Sequence, residues 1–246
     1  MIRKIEGIVV SEKSYRETSK IITVLTKEEG LLSFLAKGAK SLKSDLRSNT
    51  AKLTHGIFTI YYKEDGLSTL TSVDLIHHFK NIQKDIEKIS YASFLLELAS
   101  QTSKNNPDEL IYEELIESLI KIDESYDPLV ITNILELKYL DFLGVMPSID
   151  ACSICGSKDG IITVSASSGG LVCKNCVTNQ MIVSEKTIKL LRMYYYVDIK
   201  KISKLEISDE AKKEINQFLD AYYETYTGLF LKTKSFLKNL NKIRTK

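Results

Sequence analysis

The chain contains four cysteines, arranged as Cys152-Ser153-Ile154-Cys155 and Cys173-Lys174-Asn175-Cys176 with 17 residues between the pairs. This is the spacing of a four-thiolate zinc site, C-x2-C-x15–20-C-x2-C. Zn²⁺ takes four ligands in a tetrahedron, and a C-x-x-C turn places two sulfurs on one ion. Gly156 follows the first pair and Gly169-Gly170 precede the second, giving the backbone room to bend. Ile161–Val164 and Leu171-Val172 predict a small hairpin between the pairs. Redox cysteines and buried thiols are the competing readings. Because Cys152, Cys155, Cys173 and Cys176 would fill all four positions, one zinc ion here would be structural and not catalytic.

Four unpaired thiols also suit a reducing compartment better than a disulfide framework. Met1-Ile2-Arg3-Lys4-Ile5-Glu6 has no apolar signal core behind its charges, which predicts a cytosolic protein. No run of about 18 apolar residues predicts a membrane span. Hydrophobic residues at 43% and charged residues at 27% exclude wholesale disorder and collagen-like repeats. The net charge of +2 hides an uneven distribution: residues 1–80 carry +4, 81–150 carry −9 and 151–246 carry +7. Basic ends around an acidic middle suggest a polyanion at one surface and a different partner at another, or simply a solvated acidic helix.

Periodicity divides the chain in two. Ile5–Val10, Ile21–Leu25, Leu31–Ala36, Gly56–Tyr62 and Leu67–Val73 read as strands, the last two flanking Lys63-Glu64-Asp65-Gly66. Asp-Gly between two such runs is a strong hairpin signal. Five short strands suffice for an OB-type barrel, with an SH3-like barrel equally compatible with the pattern. From about residue 80 the period becomes helical: Ile82, Ile86, Ile89, Phe94, Leu95 and Leu98 follow three- and four-residue steps. Asn106-Pro107-Asp108-Glu109 starts a second helix with Asn106 as cap, and Asp127-Pro128 starts a third that stops at Gly144 before Pro147. A later helix runs from Ser208 through Ile215, Phe218, Leu219, Tyr222 and Tyr226 to Leu229. The expected fold is α+β and multidomain: an OB-fold β-barrel over 1–79, then an α-helical domain over 80–246 with a zinc insert at 150–180.

Six basic residues and one acid lie between Leu31 and Lys63. Lys37, Lys40, Lys43 and Arg47 fall in a loop after the third strand, where barrels commonly contact nucleic acid. Tyr61, Tyr62, Phe34 and Phe58 are candidate stacking platforms. Strand alternation puts at most one of the adjacent tyrosines outside, and core packing is the better reading of both phenylalanines. Gly38-Ala39-Lys40-Ser41 lacks the glycines of a nucleotide-binding loop. His55, His77 and His78 belong to no catalytic or metal motif, so surface or interface roles are expected of them. The acids Asp108, Glu109, Glu113, Glu114 and Glu117 read as a solvated helix face. Tyr194-Tyr195-Tyr196 reads as core before partner surface. From Thr225 onward Lys232, Lys234, Lys238, Lys242, Arg244 and Lys246 face no acid, a tail suited to phosphates, an acidic peptide or mere solubility. No nucleophile, open metal position or phosphate loop supports a hydrolase or transferase.

Several short segments, in order, resemble the RecO family of bacterial recombination mediators. They are Gly7-Ile8-Val9-Val10, Tyr15-Arg16-Glu17-Thr18-Ser19-Lys20, Thr26-Lys27-Glu28-Glu29-Gly30 and Ala36-Lys37-Gly38-Ala39-Lys40 with Lys43-Ser44. Leu140-Asp141-Phe142-Leu143-Gly144-Val145-Met146-Pro147 then leads to Cys152-Ser153-Ile154-Cys155-Gly156, and Lys234-Ser235-Phe236-Leu237 closes the series. The family often has two arginines after Ala-Lys-Gly-Ala, whereas here Lys40 is followed by Ser41, so phosphate gripping rests on point charges. The resemblance implies a non-enzymatic DNA repair and recombination mediator, in the bacterial cytoplasm at the nucleoid, with Lys37 and Lys40 as leading DNA contacts. It implies binding of single- and double-stranded DNA and annealing of complementary strands. It also implies partnership with RecR and with the C-terminal tail of single-stranded-DNA-binding protein (SSB), so that RecA loads onto SSB-coated strands. The alternative is a zinc-containing protein-interaction scaffold without direct DNA binding.

Overall fold

A computed structural model describes residues 1–104, 106–203 and 206–237 of the chain. Its described residues form two compact units, one comprising Met1–Glu124 together with the described residues from Leu231 on, the other Ser125–Phe230.

In the first unit β1 (Ile2–Tyr15), β2 (Ser19–Thr26), β3 (Gly30–Ala36), β4 (His55–Tyr61) and β5 (Ser68–His77) close into a barrel of order β1-β2-β3-β5-β4. β3 and β5 pair in parallel at Phe34↔Ser68 and Leu35↔Thr69, while the other ladders are antiparallel. This is the five-stranded OB topology, so the OB-type expectation holds. Alternation turns Ile5, Ile22, Val24, Phe34, Phe58, Ile60 and Leu70 inward as one core, with Leu46 of the single turn α1 (Leu46–Asn49) packed against it. Phe34 and Phe58 are thus core residues. Both tyrosines after them are exposed, contrary to the alternation argument. β4 ends at Tyr61, so the pleat no longer governs Tyr62, whose ring lies 5.3 Å from the Arg3 guanidinium.

The helical stretch after residue 80 is two elements: α2 (Lys80–Gln83), then α3 (Ile86–Ser103). Asp85 separates them because its carboxylate caps α3, accepting from the N–H groups of Glu87 and Lys88. Within α3 the apolar positions do not share one face: at about 100° per residue Ile86 and Ile89 lie about 120–180° around the axis from Leu95 and Leu98. Ile82, Phe94, Leu95 and Leu98 are buried, but Ile86 is 60% exposed and Ile89 also stays outside. α4 (Glu109–Asp123) starts two residues later than expected: Asp108, not Asn106, is its cap and accepts from Leu110 N–H at 2.9 Å. At the chain's other end, the Glu97 carboxylate of α3 accepts from the N–H groups of Lys232 and Thr233, capping the helical turn at 232–237. Lys234 sits over the Phe94 ring there, and Leu237 is buried. Lys238, Lys242, Arg244 and Lys246 lie outside the described residues.

The second unit is built on α5 (Pro128–Phe142), α6 (Glu185–Tyr196) and α7 (Asp209–Tyr226), each packed on the other two. α5 starts as expected, with Asp127 as cap and Pro128 in the first turn. It ends in a Schellman motif: Val145 N–H reaches Leu140 O and Gly144 N–H reaches Asp141 O, with Gly144 at φ +70°. Ser208 caps α7, which buries Ile215, Phe218, Leu219 and Tyr222 and stops at Tyr226, short of Leu229. α6 has no counterpart in the periodicity reading. It buries Tyr194, leaves Tyr195 half-buried and exposes Tyr196, so the tyrosine triplet is core at its first position only. β6 (Ile161–Ser165) and β7 (Gly170–Cys173) form the expected hairpin.

Candidate metal centre and nucleic-acid interface

The hairpin brings the two C-x-x-C turns together. Each is a tight knuckle: Gly156 N–H bonds Cys152 O at 2.9 Å, and Cys176 N–H bonds Cys173 O at 3.0 Å. Ser153 N–H reaches across to Leu171 O at 2.8 Å, tying the first knuckle to β7. The sulfurs of Cys152, Cys155, Cys173 and Cys176 all lie within 4.8 Å of one another, and Cys155 and Cys173 are 3.7 Å apart. A Zn–S distance of about 2.3 Å sets neighbouring sulfurs of a tetrahedron roughly 3.8 Å apart, so the four fit one ion of that size.

The electrostatics of the cluster call for a cation. Burial opposes ionisation of Cys152. N–H groups of Cys155, Cys173 and Ile154 directed at its sulfur outweigh this and hold the thiol down at about 6. Cys176 goes the other way. The Cys155 side chain, then burial and the remaining sulfurs, push it up to about 12. Four sulfurs this close cannot all be thiolates without positive charge among them, since each suppresses ionisation of the next.

The basic segment occupies the connection from β3 to β4. Ser41 N–H bonds Gly38 O, Ser44 N–H bonds Ser41 O and Arg47 N–H bonds Ser44 O, at 2.9, 3.2 and 3.0 Å. These are three consecutive three-residue turns, which carry positions three apart to corresponding places along the backbone. Lys37, Lys40 and Lys43 have that spacing, and Arg47 follows on α1. All four are exposed, and among the described residues none is ion-paired. The structure brings these four into one segment, as it brings the four cysteines into one cluster.

Two features escaped the sequence reading. The turn Arg16–Thr18 between β1 and β2 packs on the basic segment: Lys40 N–H bonds Thr18 O at 2.8 Å and the Lys40 ammonium lies 3.4 Å from Arg16 O. The ladder pairing Lys20 with Ala36 makes this neighbourhood inevitable, and it was legible once β2 and β3 were recognised as a hairpin. His55, expected at a surface or interface, is buried at 2% exposure. Its Nε2 is 2.8 Å from Tyr112 Oη of α4, which donates onward to Glu6 Oε1 at 3.2 Å. Nothing local in sequence links residues 6, 55 and 112.

A closed barrel of OB topology, a set of packed helices and four clustered cysteines able to hold one metal ion define a two-unit protein of the OB-fold class. Residues 1–79 match the family model for the Recombination protein O N terminal, and residues 83–235 match that for the Recombination protein O C terminal. The chain belongs to the RecO family and has a role in DNA repair and recombination. It is 36% identical over 245 residues to the DNA repair protein RecO of Listeria monocytogenes serotype 4b (strain CLIP80459), covering 98% of this chain and 96% of that one. To the DNA repair protein RecO of Bacillus subtilis (strain 168) it is 34% identical over 248 residues, covering 99% and 97%. The described residues contain no helix long and apolar enough to cross a membrane.

Proposed function

We propose that this chain is a recombination mediator that binds single- and double-stranded DNA through Lys37, Lys40, Lys43 and Arg47 and has no catalytic centre of its own. The observation that carries the reading is the run of four exposed cations, none in an ion pair among the described residues, along the β3–β4 connection of an OB barrel. Such cations neutralise phosphates on two strands at once, lower their mutual repulsion and so favour annealing. Residues 1–79 are assigned the DNA-holding role. Residues 80–246, with the zinc insert at 150–180, are assigned the docking of RecR and of the SSB C-terminal tail, so that RecA loads onto SSB-coated strands in the cytoplasm at the nucleoid. Bound at the four cysteines, one Zn²⁺ supplies a cross-link and no chemistry. The thiolates of the two knuckles hold it, and the β6–β7 hairpin keeps the knuckles in register.

Four phosphate contacts give a slope of log K against log salt of about −3.6 on duplex and −2.8 on single strands. Between 50 and 200 mM salt that is a loss of roughly 150-fold and 50-fold. Lys37→Glu with Lys40→Glu is expected to weaken binding to both substrates and flatten the slope by at least about 1.8 on duplex, with folding and metal content intact. A labelled-oligonucleotide titration at two salt concentrations measures this. Unchanged binding by the double variant removes the basic segment as the site. Absence of DNA binding by the wild type even at low salt leaves the protein-interaction scaffold.

A further inference from the structure

The turn between β1 and β2 belongs to the same surface as the basic segment. It is fixed there by a main-chain bond, Lys40 N–H to Thr18 O at 2.8 Å, and by Gly38 N–H donating to the Ser19 hydroxyl at 3.4 Å. Arg16 sits at its apex with φ 54°, a left-handed conformation that residues with a Cβ adopt infrequently. Its side chain is exposed, and its guanidinium lies over the Tyr15 ring, 5.2 Å from the centroid. Tyr15 is half-buried, with Arg16 over one face of its ring and part of its surface open to solvent. An aromatic ring beside a cation, at the rim of a basic surface, is a combination that single-strand-binding grooves use.

We infer that Tyr15 is a stacking platform for one unpaired base and that Arg16 is a fifth phosphate contact, so that this turn gives the basic surface its preference for single strands. The inference rests on the proposed role of Lys37 and Lys40, and adds discrimination to it. Cations read phosphates on either kind of DNA. A flat ring reaches a base face only where the base is not already stacked in a duplex. Because Arg16 covers one face, the ring takes one base and not two.

The chain has no tryptophan, so Tyr15→Trp introduces a single tryptophan at the platform, which can be excited apart from the tyrosines. Its emission should be quenched on adding oligo(dT) and stay unchanged on adding a blunt duplex of equal length. In the full-length protein Tyr15→Leu should lose about 5- to 150-fold in single-strand affinity, the range for one stacked base, with duplex affinity and the salt slope unaltered. Tyr15→Phe should bind as wild type. Arg16→Ala should weaken both substrates and reduce each slope by about one contact's worth. An unquenched Tyr15→Trp that still binds oligo(dT), or equal losses on both substrates for Tyr15→Leu, overturns the platform. Failure of the basic site itself reads differently: Lys37→Glu with Lys40→Glu would then bind both substrates normally whatever Tyr15 does.

Discussion

Acid should destabilise the barrel through His55. Tyr112 is kept protonated by burial and by Glu6, to which its hydroxyl donates its one proton. His55 Nε2, 2.8 Å from that hydroxyl, must therefore carry the hydrogen and donate. Nδ1 is left as a lone pair with no partner among the described residues. Protonation would place an N–H⁺ at Nδ1 in a buried site against the stacked His77 ring, 5.3 Å away between centroids. Burial first, and His77 second, accordingly lower the His55 pKa from 6.5 to about 4. The unfolded chain binds the proton between those two values and the folded chain does not, so stability is full above pH 6.5 and falls as pH drops towards 4. A shift of this size corresponds to about 3 kcal/mol. Hydrogen-exchange protection of barrel amides between pH 7 and pH 4 measures it without interference from the cysteine cluster. His55→Phe keeps an aromatic ring beside Phe79 and removes the titration. Its stability at pH 7 should fall by roughly 1 kcal/mol for the lost hydrogen bond, and its decline towards pH 4 should be about 3 kcal/mol shallower than that of the wild type. Parallel pH profiles for the two proteins would refute the reasoning.

Two further outcomes are expected in the second unit. Cys155→Ser, or removal of the metal by a chelator, should raise hydrogen exchange over residues 148–182 while barrel amides keep their protection; a metal assay on chelator-free protein should give one equivalent for the wild type and well under one for the variant. Gly170→Ala should cost on the order of 3 kcal/mol and make the metal easier to extract. Gly170 has φ +143°, and a Cβ there would fall 2.3 Å from Ser148 O, an atom that must stay in place to accept from Leu171 N–H at 2.8 Å; thermal melting and chelator competition check it.

What could be read in advance was what depends on neighbours in the chain. Strand alternation places Phe34 and Phe58, the Asp-Pro pair starts α5 and Gly144 ends it, because each signal acts within a few residues. The cysteine cluster was legible although it spans 25 residues, since the metal's four-ligand demand acts as a known constraint on spacing. Failures occur where a competing local group or a distant contact decides. Asp85 and Asp108 take the caps because a carboxylate at the right position satisfies the first N–H groups of the helix that follows. Ile86 and Ile89 face outward because at about 100° per residue they lie across the axis of α3 from Leu95 and Leu98, which pack inward. His55 carries no local sign of burial, because its partners come from β1, β5 and α4.

The cations of the barrel sort into two groups by what holds them. Arg3 pairs with Glu29, Lys20 with Glu12, and Lys27 with Glu109 and Glu113 of α4, which raise its pKa. These charges are engaged within the unit, and a phosphate would have to displace a carboxylate to reach them. Lys37, Lys43 and Arg47 have no such partner among the described residues, and Lys40 meets only a main-chain carbonyl. Their segment keeps its shape mainly through backbone bonds, from Gly38 O through Ser44 O and across to Thr18 O, none of which uses the side chains of Lys37, Lys43 or Arg47. A fold that needed these side chains for stability would have supplied them with acids, as it did for Lys27. Reversing Lys27 should therefore disturb the contact with α4 and leave the salt slope of DNA binding nearly unchanged, while reversing Lys43 should do the opposite; equal effects of the two on the slope would mean that net charge, and not this segment, governs the affinity.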